Sequence, residues 1–313
     1  MALKFIRCFL ILSLTALVGL SPLNLARFSE AVAQTVEGTT QEESVKTDEK
    51  KSVGNPTGEN LIRVTFEARL TKDGHAIENG VEWRIFGSIL GEDGKLPLLA
   101  SALGGTKSFD ITKGDYLVHA AYGHAGLVQK VSTGEEASTI IFELNAGGLK
   151  LDAIAAIDTP IPAKYLKFDV YGSEEDEFGE RRLIARSVNP GEIVPFPIGT
   201  YHVVSRFGDT NAEIRADLRV RPGKVTEAHL EHRAAILTFK LVSTKGGSAI
   251  ANTSWSILTE SGDLIAESSS TFPTMVLAEG NYSAIAKHQD TIYSTNFEVK
   301  SGIFGDIEVL AIN

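Results

Sequence analysis

The sequence has 313 residues, of which 43% are apolar, and its 30 Lys and Arg against 40 Asp and Glu give a net charge of -10. This apolar content is enough for a packed interior, which excludes general disorder and a collagen-like chain. The negative charge argues against nucleic acids and anionic lipid head groups as partners.

Residues 1–33 have the pattern of a secretory signal peptide. Lys4 and Arg7 precede an apolar run, Phe9–Leu20, and Ala31-Val32-Ala33 forms a small-residue cleavage site. The apolar run is short for a membrane span, so we predict export, cleavage and a soluble mature protein. An uncleaved membrane anchor is the alternative interpretation.

The next segment, residues 34–60, contains three valines as its only large apolar residues. Such a composition cannot bury enough surface to offset the entropy of ordering, so we predict a disordered linker. The only cysteine, Cys8, precedes the apolar run of the leader. The mature chain is therefore expected to lack disulfides, thiol chemistry and cysteine-bound zinc.

From Ile62 onward, short alternating segments are separated by Gly, Pro, Asn and Asp, which is typical of an all-β chain. The first part of this region has the strand spacing of a small sandwich. The seven strands predicted there are Ile62–Leu70, Val81–Gly87, Leu96–Ser101, Ser108–Ile111, Asp115–Tyr122, Gly126–Val131 and Ser138–Leu144.

Four landmarks recur three times in the same order, which indicates an internal repeat. They are an aromatic residue within a strand, a turn glycine, a Gly-x-Tyr strand start and a hairpin glycine. The aromatic residues are 85 and 87 residues apart. The three sets are Trp83, Gly94, Gly114-Asp115-Tyr116 and Gly134; Phe168, Gly179, Gly199-Thr200-Tyr201 and Gly223; and Trp255, Gly262, Gly280-Asn281-Tyr282 and Gly302.

The landmarks predict three tandem seven-stranded β-sandwich domains, at residues 61–146, 147–233 and 234–313. The central aromatic ring is expected on the inner face, where it forms the core of a disulfide-free sandwich. The turn glycines are expected at positive φ. Almost no residues remain for linkers, so a semi-rigid array of about 100 Å is expected from three domains of about 30 Å each.

The order of these landmarks resembles the transthyretin-like or prealbumin-like β-sandwiches of exported bacterial proteins, which include carboxypeptidase regulatory-like and Cna protein B-type modules. Val194–Tyr201 is the stretch that carries the resemblance best. The resemblance implies binding, spacing or adhesion rather than catalysis. Cna B-type modules can form a Lys–Asn crosslink, and Lys240 and Asn313 occupy suggestive positions. The acid that promotes this crosslink is missing after Tyr282, so we do not expect it.

No motif of catalysis or phosphate binding occurs in the sequence. We predict no catalytic, cofactor-binding or metal-binding residues, no cofactor and no enzymatic activity. His229 and His232 are three residues apart, so they point to opposite faces of a strand, and surface histidines are expected. The acidic cluster Ser173–Glu177 lacks the register of calcium loops, which favours a solvated hairpin tip, and whether it binds calcium is left open.

Our hypothesis is an exported, non-enzymatic binding or spacing protein of the bacterial envelope. The partner is a protein or an envelope glycan, and the location is the periplasm, with the extracellular space or cell surface as the alternative. A carbohydrate-binding accessory protein is the second hypothesis, and it requires exposed rings at Trp83, Trp255 or the tyrosines. An enzyme with an unfamiliar site is the third. The identity of the partner and the oligomeric state are left open.

Overall fold

The computed structural model of the protein describes residues 61–156, 159–302 and 304–312. The predicted signal peptide, 1–33, and the predicted linker, 34–60, lie outside the described residues. The described residues form strands and one three-residue 3-10 helix, Ala163–Tyr165. None of their helices has the length and apolar character needed to cross a membrane.

The strands fall into three successive groups along the chain. The first group is β1 Ile62–Arg69, β2 Val81–Gly87, β3 Leu98–Gly104, β4 Lys107–Ile111, β5 Gly114–Tyr122, β6 Ala125–Thr133 and β7 Ser138–Glu143. The second is β8 Ala146–Ala155, β9 Thr159–Pro160, β10 Leu166–Glu175, β11 Arg181–Val188, β12 Ile193–Pro197, β13 Gly199–Phe207, β14 Glu213–Val220 and β15 Val225–His232. The third is β16 Ala234–Val242, β17 Thr253–Thr259, β18 Leu264–Ser268, β19 Thr274–Ala278, β20 Gly280–His288, β21 Thr291–Val299 and β22 Gly305–Leu310.

Each group forms two sheets with the same topology, one built on three strands and one on four, and the short β9 adds a further strand to the smaller sheet of the second group. The three-stranded sheets have the orders β4-β1-β7, β12-β8-β15 and β19-β16-β22. The four-stranded sheets have the orders β3-β2-β5-β6, β11-β10-β13-β14 and β18-β17-β20-β21, and the short β9 pairs with β8. The first and last strands of each group pair in parallel, whereas the other neighbours are antiparallel. The same connectivity therefore occurs three times.

The two sheets of each group share one hydrophobic core, and we call each such unit a sheet pair. In the first sheet pair, Phe66 from the three-stranded sheet lies 5.7 Å from Trp83 of the four-stranded sheet, measured between ring centroids. Phe168 and Trp255 occupy the corresponding buried positions in the second and third cores. The prediction of tandem all-β sandwiches with the landmark aromatic ring on the inner face is confirmed.

The tyrosine of each Gly-x-Tyr landmark makes the same contact in all three sheet pairs. Its ring is buried, and its hydroxyl donates to a backbone carbonyl four residues earlier, on Thr112, Pro197 or Ala278. The phenol thus fixes the turn that joins one sheet to the other. The turn glycines Gly94, Gly179 and Gly262 have the predicted positive φ, at 71°, 80° and 90°.

Two parts of the chain differ from the sequence prediction. The third strand begins two residues later than predicted and extends to Gly104, because Ala102, Leu103 and Gly104 pair with β2. The predicted joint 145–148 is mostly strand, since β8 begins at Ala146 and its first residues are buried. The small residues Ala146, Gly147 and Gly148 give no hydrophobic signal for the buried start of β8, and the end of β3 is defined by its pairing with β2, which the local sequence does not specify.

The two core tryptophans differ in one hydrogen bond, which gives a stability prediction. The indole N–H of Trp83 donates to the Gly105 carbonyl at 2.8 Å, whereas that of Trp255 has no hydrogen-bond acceptor among the described residues. Trp83→Phe and Trp255→Phe remove similar volumes, but only Trp83→Phe deprives a carbonyl of its donor. Calorimetric unfolding should show Trp83→Phe to be the costlier change by about 1–2 kcal/mol. Equal costs would contradict this interpretation.

Candidate functional site

The joints between successive sheet pairs hold the most specific contacts outside the cores. At the first joint, the hairpin between β5 and β6 meets β12 of the second sheet pair. The His124 amide donates to the Pro195 carbonyl at 2.8 Å, and the His124 ring stacks on Phe196 at 4.8 Å between centroids. Gly123, at φ 58°, lies so close that a Cβ there would be 2.7 Å from the Pro195 ring. Only glycine fits this approach.

The second joint places the hairpin between β13 and β14 against β19 of the third sheet pair. Gly208, at φ 73°, lies where a Cβ would be 2.6 Å from the Val276 side chain. Thr210 donates its hydroxyl to the Val276 carbonyl, and the Asn211 amide donates to the Tyr282 hydroxyl at 2.9 Å. Val276 is also part of the core of the second sheet pair. The second and third cores are thus joined by apolar packing as well as by hydrogen bonds.

A second contact completes each joint on its other side. The hairpin glycine of the later sheet pair faces the turn that follows the first strand of the earlier one. A Cβ on Gly223 would be 3.1 Å from Thr71, and one on Gly302 would be 2.8 Å from Ala156. The two joints therefore use the same pair of contact points, so the same geometry is repeated along the array.

The two ends of the array lack the residues that form the joints. The joint glycines Gly123 and Gly208 both lie nine residues after the glycine of the Gly-x-Tyr landmark. The third sheet pair has Gln289 at that position. Pro195 and Val276, whose carbonyls accept at the joints, each lie four residues before the glycine of Gly-x-Tyr. The first sheet pair has Asp110 at that position, and Asp110 forms an ion pair with Arg63 at 3.0 Å. The joint contacts thus occur only where a neighbouring sheet pair exists in the described chain.

The joint residues are not among those predicted from the sequence, although the sequence contains a signal for them. Gly123 and Gly208 recur at one fixed spacing and are absent from the last repeat, which is the pattern expected of residues that contact the next repeat. Gly134, a landmark in the sequence, has nothing within 4 Å of an added Cβ, whereas its counterparts lie at joints.

A groove of about 870 Å³ lies in the second sheet pair beside the predicted acidic hairpin tip. Two of the acids in Ser173–Glu177 take part in holding the hairpin. Glu175 accepts from Arg181 at 2.7 Å, and Asp176 accepts the amides of Phe178 and Glu180 at 2.9 Å each. Within the described ranges, no three Asp, Glu, His or Cys side chains come together as a metal site would require. Calcium binding at this tip stays an open question.

A second groove, of about 740 Å³, lies on the other side of the corner between β12 and β13. Arg219, Arg221 and Lys224 line it, together with Ile198 and Thr200, which also line the acidic groove. An acidic and a basic concave surface are thus adjacent in the second sheet pair. This arrangement can present opposite charges to one partner.

Two polar clusters in the second sheet pair are buried. The expectation of surface histidines is wrong for His232, which is 1% exposed because the end of β15 faces the core. Its Nε2 lies 2.8 Å from the hydroxyl oxygen of Ser205, and the ring packs edge-on against Phe207. Burial lowers the pKa of His232 to about 4. Solvent does not reach this Ser–His pair, so it has a structural role. His229 lies exposed on the opposite face of the strand, as the spacing predicts.

The other buried cluster surrounds Asp169, which is 2% exposed. Its carboxylate lies 2.6 Å from Arg206 and accepts the Ser187 amide at 2.8 Å. Ser187 has φ 54° and lies in a β-bulge of β11 opposite Asp169. The aspartate thus holds the bulge, and its charge is balanced by the guanidinium group.

The repeated aromatic residues do not form an exposed platform. Trp83 and Trp255 are 0% and 1% exposed, and the three landmark tyrosines are at most 7% exposed. The exposed rings that a carbohydrate-binding accessory protein requires are therefore not found at these positions. Of the proposed Lys–Asn pair, Lys240 forms an ion pair with Asp306 of β22, and Asn313 lies outside the described residues.

The fold and its joints define a tandem β-sandwich array. Residues 236–311, which lie in the third sheet pair, match a family model described as the Rhizobiales growth-associated tandem repeat domain. This match agrees with the resemblance to tandem β-sandwich modules. A comparison with curated proteins finds no match.

Similar solved structures include three from Gram-positive bacteria. The Bacillus anthracis TIE protein is 14% identical over 80% of this chain and 51% of its own, with a TM-score of 0.23. A streptococcal ancillary pilin is 10% identical over 80% of this chain and 98% of its own, with a TM-score of 0.29. The minor pilin of Streptococcus agalactiae is 12% identical over 54% of this chain and 94% of its own, with a TM-score of 0.30. The chain thus spans about half the length of the TIE protein.

Proposed function

We propose that the protein is an exported, non-enzymatic array of three β-sandwich domains, residues 61–146, 147–233 and 234–313, that binds or spaces other proteins in a bacterial envelope. The two equivalent joints carry this proposal. Each joint couples neighbouring sheet pairs through a hairpin and a turn, and at the second joint Val276 of the third sheet pair packs in the core of the second. An array with fixed joints holds its surfaces at set separations, which is what a spacing or multi-site binding protein requires.

The side chains that recur in every repeat support a structural task. The landmark rings are buried in the cores, and the landmark hydroxyls bond to backbone carbonyls. The acidic and basic grooves of the second sheet pair are lined mostly by residues outside the repeated landmarks. We place partner recognition at these grooves, and a protein with mixed charge is the partner that fits them.

The location of the array is proposed from the sequence of residues 1–33, with the periplasm first and the cell surface second. The description of the matched repeat as growth-associated in Rhizobiales supports a task of the array in cell growth.

The experiment that tests the array measures a distance across both joints. Val128 and Ile292 are 58% and 66% exposed on β6 and β21, so cysteine and a spin label at each leave the cores intact. In a Cys8→Ser background, double electron–electron resonance should give one narrow distance distribution. The control pair Val128→Cys and Ile141→Cys lies within the first sheet pair. It gives the width of the distance distribution for two labels on one rigid unit. A distribution several times wider than this control would show independent domains and contradict the proposal.

A further inference from the structure

The strand β3 forms an open edge of the first sheet pair. It pairs with β2 on one side, and in the described part of the chain no strand pairs with its other side. Leu98, Leu99 and Leu103 are 55%, 53% and 71% exposed along it. An apolar edge strand with unpaired backbone groups is a ready site for the addition of another strand.

The corresponding edges of the other two sheet pairs are protected by charge. The strand β11 carries Arg181, Arg182 and Arg186, and β18 carries Glu267. By contrast, no charged residue occurs from Leu96 to Gly105. Charged side chains on an edge strand oppose pairing with a second copy, so β3 lacks the protection that its two equivalents have.

The sequence of β3 is also symmetric. Leu99-Ala100-Ser101-Ala102-Leu103 reads the same in both directions. In an antiparallel pair around a two-fold axis at Ser101, Leu99 of one copy lies opposite Leu103 of the other, and Ala100 lies opposite Ala102. Alternation places the leucines on the outer face and the alanines on the inner face. Every residue in such a pair meets one of its own type, which is the self-complementarity that a two-fold interface needs.

We propose that β3 pairs with β3 of a second copy of this chain, antiparallel and centred on Ser101. The dimer joins two four-stranded sheets into one continuous sheet and covers the exposed leucines with cross-strand leucine pairs. A second copy is favoured as the occupant because the segment is palindromic and uncharged. With a net charge of -10 on each copy, contact through an uncharged strand also avoids local repulsion.

Sedimentation equilibrium of the protein as the cell produces it tests this dimer. We expect a concentration-dependent mass that reaches twice that of one chain. Leu103→Lys, which puts two like charges into the pair, should raise the dimer dissociation constant at least tenfold. The matched control is Leu264→Lys on the equivalent edge β18, where the side chain is 54% exposed, and it should leave the constant unchanged. A monomer at all concentrations, or a dimer that Leu103→Lys does not weaken, would overturn the proposal.

A crosslink tests the register independently. In a Cys8→Ser background, Ser101→Cys places two thiols directly opposite each other, at a Cα separation of about 4.5–5.5 Å that a disulfide can span. Leu98→Cys places its two thiols six residues apart along the strands, at about 20 Å, so it should not crosslink. We expect an intermolecular disulfide for Ser101→Cys alone. Crosslinking of Leu98→Cys in preference to Ser101→Cys would overturn the two-fold pairing.

Discussion

Acidification from pH 7 to pH 4 is expected to lower the free energy of unfolding of the second sheet pair by about 2–3 kcal/mol. The cause is His232, whose pKa burial lowers from 6.5 to about 4 in the folded protein. Between these two values the unfolded chain binds a proton that the folded chain does not. Stability is therefore constant above about pH 6.5 and falls as the pH decreases toward 4.

The carboxylates whose pKa is shifted titrate in a different range. The hydrogen bond and charge of Arg63 hold the pKa of Asp110 below its usual 3.8, and Ser132 and Lys130 do the same for Asp115. Their contributions are present above pH 3.8 and are lost only at lower pH. Burial also lowers the pKa of His124, whose ring stacks on Phe196 of the second sheet pair. The decline between pH 6.5 and pH 4 therefore identifies buried histidines, and the His232 variant separates the larger contribution of His232 from that of His124.

Hydrogen exchange of peptides from β13 and β15, measured in increasing urea at several pH values, follows this sheet pair. His232→Gln should be less stable than the original protein at pH 7 but should lose most of its decline toward pH 4, with a smaller decline left from His124. His229→Gln, on the exposed face of the same strand, should keep the decline. The variants are compared with the original protein at the same pH, because the pH-dependent intrinsic exchange rate of the amides is then the same for all of them. If His232→Gln declines as steeply as the unchanged protein, another group causes the acid sensitivity.

Much of the fold was predictable because the sequence pattern of one sandwich occurs three times in the chain. Alternation gave the strands, and the fixed order of Trp83, Gly94 and Gly114-Asp115-Tyr116 gave the sandwich unit. The two-residue period places Tyr116 and Val118 on one side of β5, and in the structure this side is buried. The local sequence does not show which group accepts the hydrogen bond of the tyrosine hydroxyl. The structure identifies this acceptor for Tyr116 as the Thr112 carbonyl.

The joints and the buried histidine depend on contacts distant in sequence. The odd spacing of His229 and His232 predicted opposite faces, but it did not show which face meets the core. Ser205, the partner of His232, is 27 residues away. Likewise, Gly208 meets Val276, and a turn glycine gives no local sign that another domain packs on it. The acidic cluster predicted as a solvated hairpin tip, Ser173–Glu177, is partly used to hold its own hairpin, which the local sequence does not show.

Gly208→Ala is expected to destabilise the second joint far more than a matched substitution elsewhere. Gly208 and Gly246 have φ of 73° and 74°, so alanine at either position is strained in the same way, by about 1–2 kcal/mol. They differ in surroundings, because an added Cβ meets Val276 at 2.6 Å in the first case and nothing within 4 Å in the second. Val276 is 3% exposed and β-branched, so it cannot turn aside. The joint must then shift, at a further cost of about 1–3 kcal/mol.

Calorimetry and the distance between labels at Val128 and Ile292 measure the two consequences. In Gly208→Ala the third sheet pair should unfold in a separate, earlier transition, and the distance distribution should broaden. Gly246→Ala should lower the unfolding temperature of the third sheet pair without changing the distribution. Because the backbone strain is of the same kind in both variants and Gly246 has no neighbour across the joint, a difference between their distance distributions reports the joint. Equal distributions in the two variants would mean that the Gly208 contact does not hold the second and third sheet pairs in place, and the array would need another source of rigidity.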